Sequence, residues 1–313
     1  MAKFLQLIRF PNLVMMALTQ FLFYFYWIQP FTQHYIEFGQ FIMVVLATIC
    51  IAAGGNIIND IFDVATDRIN KPHKLFIGTH ISKKHAYFYY FLFTFVGIGL
   101  GSYVGFAIEK SWISFVFIGI AALLFLYSSH LKGIPVLGNV VVSLLVSSSL
   151  LILLLFTSIS ESENAHVLLL EKNSLIAIGI YASFAFLMNL MREMVKDIED
   201  INGDYKANIT TLPIVLGRNR VNKIVAVLAG ITILFTLYCI SEYLQGQTII
   251  TIYILVTILL PLLYFIVKIW QADTKREYRI LSLLLKLIML FGILSTVVYY
   301  YTVELAPFVY ILF

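Results

Sequence analysis

The sequence predicts an all-α membrane protein, nine transmembrane helices in a single domain over residues 1–313, with a cytoplasmic N-terminus. Three observations predict it: the composition, the lengths of the apolar runs, and the placement of the basic residues. Hydrophobic residues make up 61% of the chain and charged residues 12%, against roughly 45–50% and 25% in soluble domains. That much charge cannot cover the surface of a soluble globule of this size, and a disordered chain would need more. The apolar excess must face lipid.

A helix needs roughly 20 apolar residues to cross the hydrocarbon core. Runs of about that length lie at 12–29, 39–58, 86–108, 111–127, 135–158, 174–191, 222–241, 248–268 and 280–302. None alternates with period two, which excludes the strands of a membrane barrel. The first run is read as a retained span rather than a signal peptide, because it lacks a small-residue cleavage site and carries Gln20 and an aromatic cluster. With the N-terminus inside, only Lys110 and Lys172 fall on outer segments, and Lys286 lies within the ninth run. The other 18 of the 21 basic residues are cytoplasmic, as the positive-inside rule requires.

Cys50 and Cys239 sit inside apolar runs with no second metal-ligand motif near them, so neither a disulfide scaffold nor a zinc site is expected. A net charge of +4, with its basic residues in loops between spans, gives no reason to expect a nucleic-acid partner.

Acidic charge gathers in two segments. One, 56–68, follows the second span; the other, 192–204, follows the sixth. Asp60, Asp63 and Asp67 are spaced i, i+3, i+7, and so are Asp197, Asp200 and Asp204. On a helix each trio shares one face over about 10 Å of axis. Asn59 joins Asp63 and Asp67 at intervals of four. The recurrence of this pattern four spans on suggests an internal duplication. Like charges at helical spacing repel and need cations. A single such run is commonly a solvated face, but two matched runs at cytoplasmic helix ends point to ligand binding. Carboxylates without cysteine and with few histidines favour a hard ion, Mg²⁺ above all where phosphate oxygens complete the shell. At a membrane surface this implies a lipid-soluble substrate bearing a pyrophosphate.

These segments resemble the UbiA superfamily of intramembrane prenyltransferases. Asn59, Asp63 and Asp67 fit its Asn-x-x-x-Asp-x-x-x-Asp motif, and Asp197, Asp200 and Asp204 fit its second acidic motif. The likeness runs from 8–12 through 126–133 to 211–217. It implies helices around a central cavity, with both motifs at its cytoplasmic mouth in the cell membrane. It also implies Mg²⁺-dependent transfer of a prenyl group from an isoprenyl pyrophosphate to a lipid-soluble acceptor. The expected metal site is Asn59, Asp60, Asp63, Asp67, Asp197, Asp200 and Asp204. Lys71, Lys132, Arg192, Lys196 and Asn189 are expected to bind substrate. Lys132, Tyr127 and Ser128 are expected to be catalytic. The family's Tyr-x-x-x-Lys spacing is not met by Tyr127, which lies five residues before Lys132, whereas Ser128 lies four before it. Lys71-Pro-His-Lys74 stands where the family often has two arginines, keeping the charge but losing bidentate phosphate recognition.

The remaining basic residues are read as topological charge, including Lys83 and Lys84. Lys286 is expected to snorkel to the interface in preference to touching pyrophosphate, and Asn189 either faces the cavity or bonds a neighbouring helix. Within the family, the 192–204 segment looks most like the geranylgeranylglyceryl phosphate geranylgeranyltransferases of ether-lipid synthesis. Its Lys-Asp-x-x-Asp-x-x-Gly-Asp core also occurs in aromatic branches, so a quinone precursor or homogentisate-like acceptor stays open. A multi-pass transporter is the reading from another class. Transporters place such carboxylates near the bilayer midplane rather than at helix ends beside basic loops, which disfavours it.

Overall fold

The computed structural model describes residues 2–30, 34–70, 75–158, 165–207 and 209–304. They are almost entirely helical. Helix α1 (Ala2–Leu7) leads through Arg9 into α2 (Phe10–Phe23), which continues as a π turn, Tyr24–Ile28. Arg9 takes a left-handed conformation, φ 53°, and Pro11 starts α2 at a position where no intrahelical N–H is needed. Helix α3 (Phe38–Phe62) is followed by α4 (Val64–Asn70), α5 (Lys83–Ala107) and α6 (Ile113–Ser129). A 3-10 turn, Leu131–Gly133, precedes α7 (Leu137–Leu151), and α8 (Ala165–Lys206) is the longest helix. Then come α9 (Leu212–Leu216), α10 (Arg218–Tyr243), α11 (Thr248–Ile254), α12 (Leu260–Gln271) and α13 (Lys275–Tyr299). A π turn, Leu255–Leu259, joins α11 to α12 just before Pro261, whose missing N–H breaks the regular ladder. A strand pairing, His34–Tyr35 (β1) against Thr157–Ser158 (β2), is two residues long.

Among the described residues, seven helical segments are long and apolar enough to cross a membrane, and Ile113–Ser129 is a shorter apolar helix. Their outer faces carry large apolar side chains: Phe95 is 67% exposed and Phe115 76%. That pattern suits lipid and would be costly in water. The chain is a multi-pass membrane protein. Close helix contact relies on small residues, as is usual without a hydrophobic force between helices in lipid. A Cβ on Gly97 of α5 would lie 2.9 Å from the Ala47 carbonyl of α3, so this crossing admits no side chain.

The two acidic segments are held differently. The helix of the sixth run continues unbroken past 191 to Lys206 and carries the whole second acidic segment, as its i, i+3, i+7 spacing requires. Hydropathy falls there because one face turns polar, while Met191, Met194, Val195 and Ile198 still pack in the core. Conversely, the first acidic segment is not one regular helix. It breaks at Asp63 (φ −83°, ψ 1°) between α3 and α4. The backbone bonds Asp63 N to Asn59 O (2.9 Å) and Asp67 N to Asp63 O (2.8 Å) carry the turn across, so the acids keep a common side.

Candidate active site

A cavity of about 1120 Å³ runs between α2, α3, α6, α7, α8 and α13. Its wall is mostly apolar along its length and charged at one end. At that end the cavity is lined by Asn59, Asp60, Asp63 and Asp67 from α3 and α4, and by Asp197, Asp200 and Asp204 from α8. Two segments at least 130 residues apart in sequence thus face one opening.

The first segment is organised by distant cations. Lys132, from the turn between α6 and α7, donates to Asp63 Oδ2, and Asn59 Nδ2 donates to the same oxygen at 2.7 Å. Burial alone would lower the Lys132 pKa. The Asp63 carboxylate, with Tyr127 behind it, more than offsets this and holds the ammonium charged above the ordinary lysine value. Asp60 is engaged differently: Arg9 Nη2 donates to its Oδ1 at 2.9 Å. Here too burial opposes the charge, and Asp60, Asp63 and Glu193 outweigh it, raising the Arg9 pKa. The left-handed backbone at Arg9 turns the chain between α1 and α2 where this side chain reaches the cavity.

On the opposite wall, Asn139 of α7 donates to Asp197 Oδ2 at 2.8 Å. Asn189 lines the cavity and also donates to Ser143 Oγ on α7 at 3.3 Å, so both readings of that residue hold together. Arg192 and Lys196 both donate to Glu193 Oε1, at 3.1 and 2.7 Å. The Arg192 Nε is buried without a hydrogen-bond partner.

Most of the expected site residues therefore come together. Tyr127 and Lys132 line the cavity. Ser128 does not: its hydroxyl donates to the Leu124 carbonyl at 2.9 Å within α6, and the residue is buried against its neighbours. Lys71 lies outside the described residues, as does Lys74. Lys286 lines the cavity, where its ammonium donates to Asn12 Oδ1 of α2 at 2.7 Å. Sequence reasoning missed Arg9, Asn70, Asn139 and Glu193. Only Glu193 carried a local signal, an acid between two cations within one helical turn.

Among the described residues no three His, Cys, Asp or Glu side chains close on one point. The oxygen-rich donors at the mouth nonetheless fit Mg²⁺, which binds through one or two carboxylates plus substrate phosphates rather than an all-protein cage.

A helical bundle with two acidic segments at the mouth of an apolar cavity defines an intramembrane lipid-processing class. Residues 17–290 match the UbiA prenyltransferase family, and the chain belongs to that family. The chain is 32% identical over 192 residues to digeranylgeranylglyceryl phosphate synthase of Pyrococcus abyssi, a match covering 61% of this chain and 62% of that protein. The chain thus spans less than two thirds of that relative's length. With the Korarchaeum cryptofilum protein of the same name it is 30% identical over 259 residues, 82% of this chain and 84% of the relative. The fold is shared with a UbiA homologue from Archaeoglobus fulgidus, solved bound to GPP and Mg²⁺. That likeness has a TM-score of 0.61 at 16% identity and covers 94% of this chain and 99% of the other.

Proposed function

We propose that the protein transfers a geranylgeranyl group from its pyrophosphate to geranylgeranylglyceryl phosphate, a step of ether-lipid synthesis. The observation that carries this reading is the meeting of both acidic segments with Lys132 at the charged end of one apolar cavity. Asn59, Asp63 and Asp67 on one side, and Asp197, Asp200 and Asp204 on the other, would hold Mg²⁺ against the pyrophosphate. Bound there, the metal neutralises charge that builds on the leaving group as the allylic C–O bond breaks.

The chain's own part is distinct. Lys132 meets the departing pyrophosphate with a fixed positive charge. The apolar wall below the acids keeps water from the allylic cation. Asp60, although one of the family-like acids, serves to anchor Arg9. The names of the Pyrococcus and Korarchaeum relatives support the glycerol-phosphate acceptor, as does the presence of Arg192 and Lys196 in the cavity lining. We read the chain as one domain of nine spans with its N-terminus and active site on the cytoplasmic side. The shorter helix α6 and the run from Phe10 to Ile28 would supply the two spans beyond the seven long ones.

The test is prenyl transfer by purified protein from radiolabelled geranylgeranyl pyrophosphate to a panel of glycerol-phosphate, quinone-precursor and homogentisate acceptors. A prenylated glycerol phosphate is the expected product. Substrate uptake into vesicles without any product would favour the transporter instead.

A further inference from the structure

The cavity has a floor as well as a mouth. Followed from the charged end, its lining stops at Phe23 on α2, Thr48 on α3, Phe117 on α6, Ile152 after α7 and Tyr181 on α8. Beyond them, among the described residues, Tyr24, Trp27 and Phe41 pack in the same buried cluster as Phe23 and Phe117. The rings of Phe23 and Tyr181 meet edge to face, with centroids 4.9 Å apart and planes at 79°. The Tyr181 hydroxyl shares a hydrogen bond with Ser295 Oγ of α13 at 2.7 Å, and Trp27 lies behind the ring at 6.5 Å. Phe23 has no exposed surface. The ring of Tyr181 is thus tied at its far end and backed by a second aromatic. It forms a fixed stop, not a side chain free to swing aside.

The depth of this stop can be measured along the helices. Tyr181 lies sixteen residues from Asp197 on α8, about 24 Å at 1.5 Å per residue. Thr48 lies fifteen residues from Asp63, about 22 Å along α3 by the same rise. With carbon–carbon bonds of about 1.5 Å, a four-bond isoprene unit extends about 5 Å. Four units span about 20 Å, and a fifth would need about 25 Å on the same bond length. A chain whose pyrophosphate is held at the acids therefore reaches the Phe23–Tyr181 pair at its fourth unit.

We propose that the Phe23–Tyr181 pair is the chain-length stop of the donor site, admitting a 20-carbon prenyl chain and excluding a 25-carbon one. This rests on the prenyl-transfer reading and deepens it. The experiment is competition of 15-, 20- and 25-carbon prenyl pyrophosphates against radiolabelled geranylgeranyl pyrophosphate, on purified protein with Mg²⁺. It needs no acceptor, so an error in the acceptor leaves it intact. The unaltered protein should prefer the 20-carbon compound over the 25-carbon one by at least about tenfold, the scale on which an apolar pocket discriminates length. Tyr181→Ala should bring those two affinities within about threefold by the same scale. Tyr181→Phe keeps the ring and should keep the preference.

A variant that fills space covers the case in which Tyr181→Ala does not fold. Ala52 lines the cavity one turn nearer the mouth than Thr48, so Ala52→Phe removes about one isoprene length and should make the 15-carbon compound the best ligand. Unchanged preference in Ala52→Phe, or equal binding of 20- and 25-carbon chains to the unaltered protein, overturns the stop. No binding of any prenyl pyrophosphate to the unaltered protein overturns the prenyl-transfer reading, and the stop with it.

Discussion

Asn70 is inserted into the backbone of the second acidic segment at Gly203. Its Oδ1 accepts from the Gly203 N–H at 3.0 Å, and its Nδ2 donates to the Asp200 carbonyl at 2.8 Å. A Cβ on Gly203 would lie 2.2 Å from Asn70 Nδ2. The carbonyl of Asn70 in turn accepts from Lys275 Nζ at 2.9 Å. One side chain thus sets the distance between the helix carrying Asp67 and the helix carrying Asp200 and Asp204.

It follows that Gly203→Ala should push the two acidic segments apart. Overpacking at such a contact costs about 1–3 kcal/mol, so the variant should melt at a lower temperature in detergent. It should also need more Mg²⁺ for half-maximal transfer. A variant that melts early yet keeps the Mg²⁺ requirement of the parent would reduce Asn70 to a packing contact.

Both acidic segments should be indispensable. Asp63→Ala and Asp200→Ala should each abolish transfer while leaving a folded membrane protein, because on the proposed reading each segment would supply its own share of the metal–pyrophosphate contact. EDTA should do the same to the unaltered enzyme. Full turnover after chelation, or in either variant, is the outcome that would sink this.

The roles proposed for Lys132, catalytic, and for the Lys83/Lys84 pair, topological, can be told apart. Lys132 is ion-paired with Asp63 on the cavity wall, whereas Lys83 and Lys84 are exposed at the start of α5 and away from the cavity lining. Lys132→Ala should lower kcat by about 10²–10³, the usual cost of one lost charge contact in the transition state. A double Lys83→Ala, Lys84→Ala variant should keep its rate, and equal losses in the two would contradict the assignment.

The spacing of the acids is what made this site legible in the sequence. A trio at i, i+3, i+7 shares a face whether the helix is regular, as in α8, or breaks at Asp63, because the i+4 bonds persist through the break. The partners of those acids were not legible. Arg9 pairs with Asp60 across 51 residues and Asn139 with Asp197 across 58, and neither arginine nor asparagine advertises its partner locally. Lys286 shows the same limit from the other side. Depth along its helix suggested a snorkelling lysine, and only the packing of α13 on α2 reveals Asn12 in reach. The aromatic floor was illegible for a different reason. Phe23 and Tyr181 are two among 45 Phe and Tyr residues in this chain, and most aromatics in a membrane bundle face lipid or core.

The acceptor gives the last prediction. A geranylgeranylglyceryl phosphate must leave its own apolar chain in lipid and present a phosphate to the charged end of the cavity. Arg192 lies on that wall, already contacts Glu193 through Nη1, and has its Nε buried without a protein partner. An incoming phosphate oxygen would satisfy that donor, and an arginine is well suited to phosphate. Arg192→Gln should therefore raise KM for the glycerol phosphate more than it lowers kcat. Loss of one charged hydrogen bond, about 1.5–3 kcal/mol, corresponds to roughly a ten- to hundredfold change. An aromatic acid such as 4-hydroxybenzoate should be a poor acceptor for the unaltered enzyme, since it offers one carboxylate and no lipid chain. Should the purified protein prenylate an aromatic ring and ignore geranylgeranylglyceryl phosphate, its place in the family stands, but the glycerol-phosphate assignment and the role of Arg192 both fall.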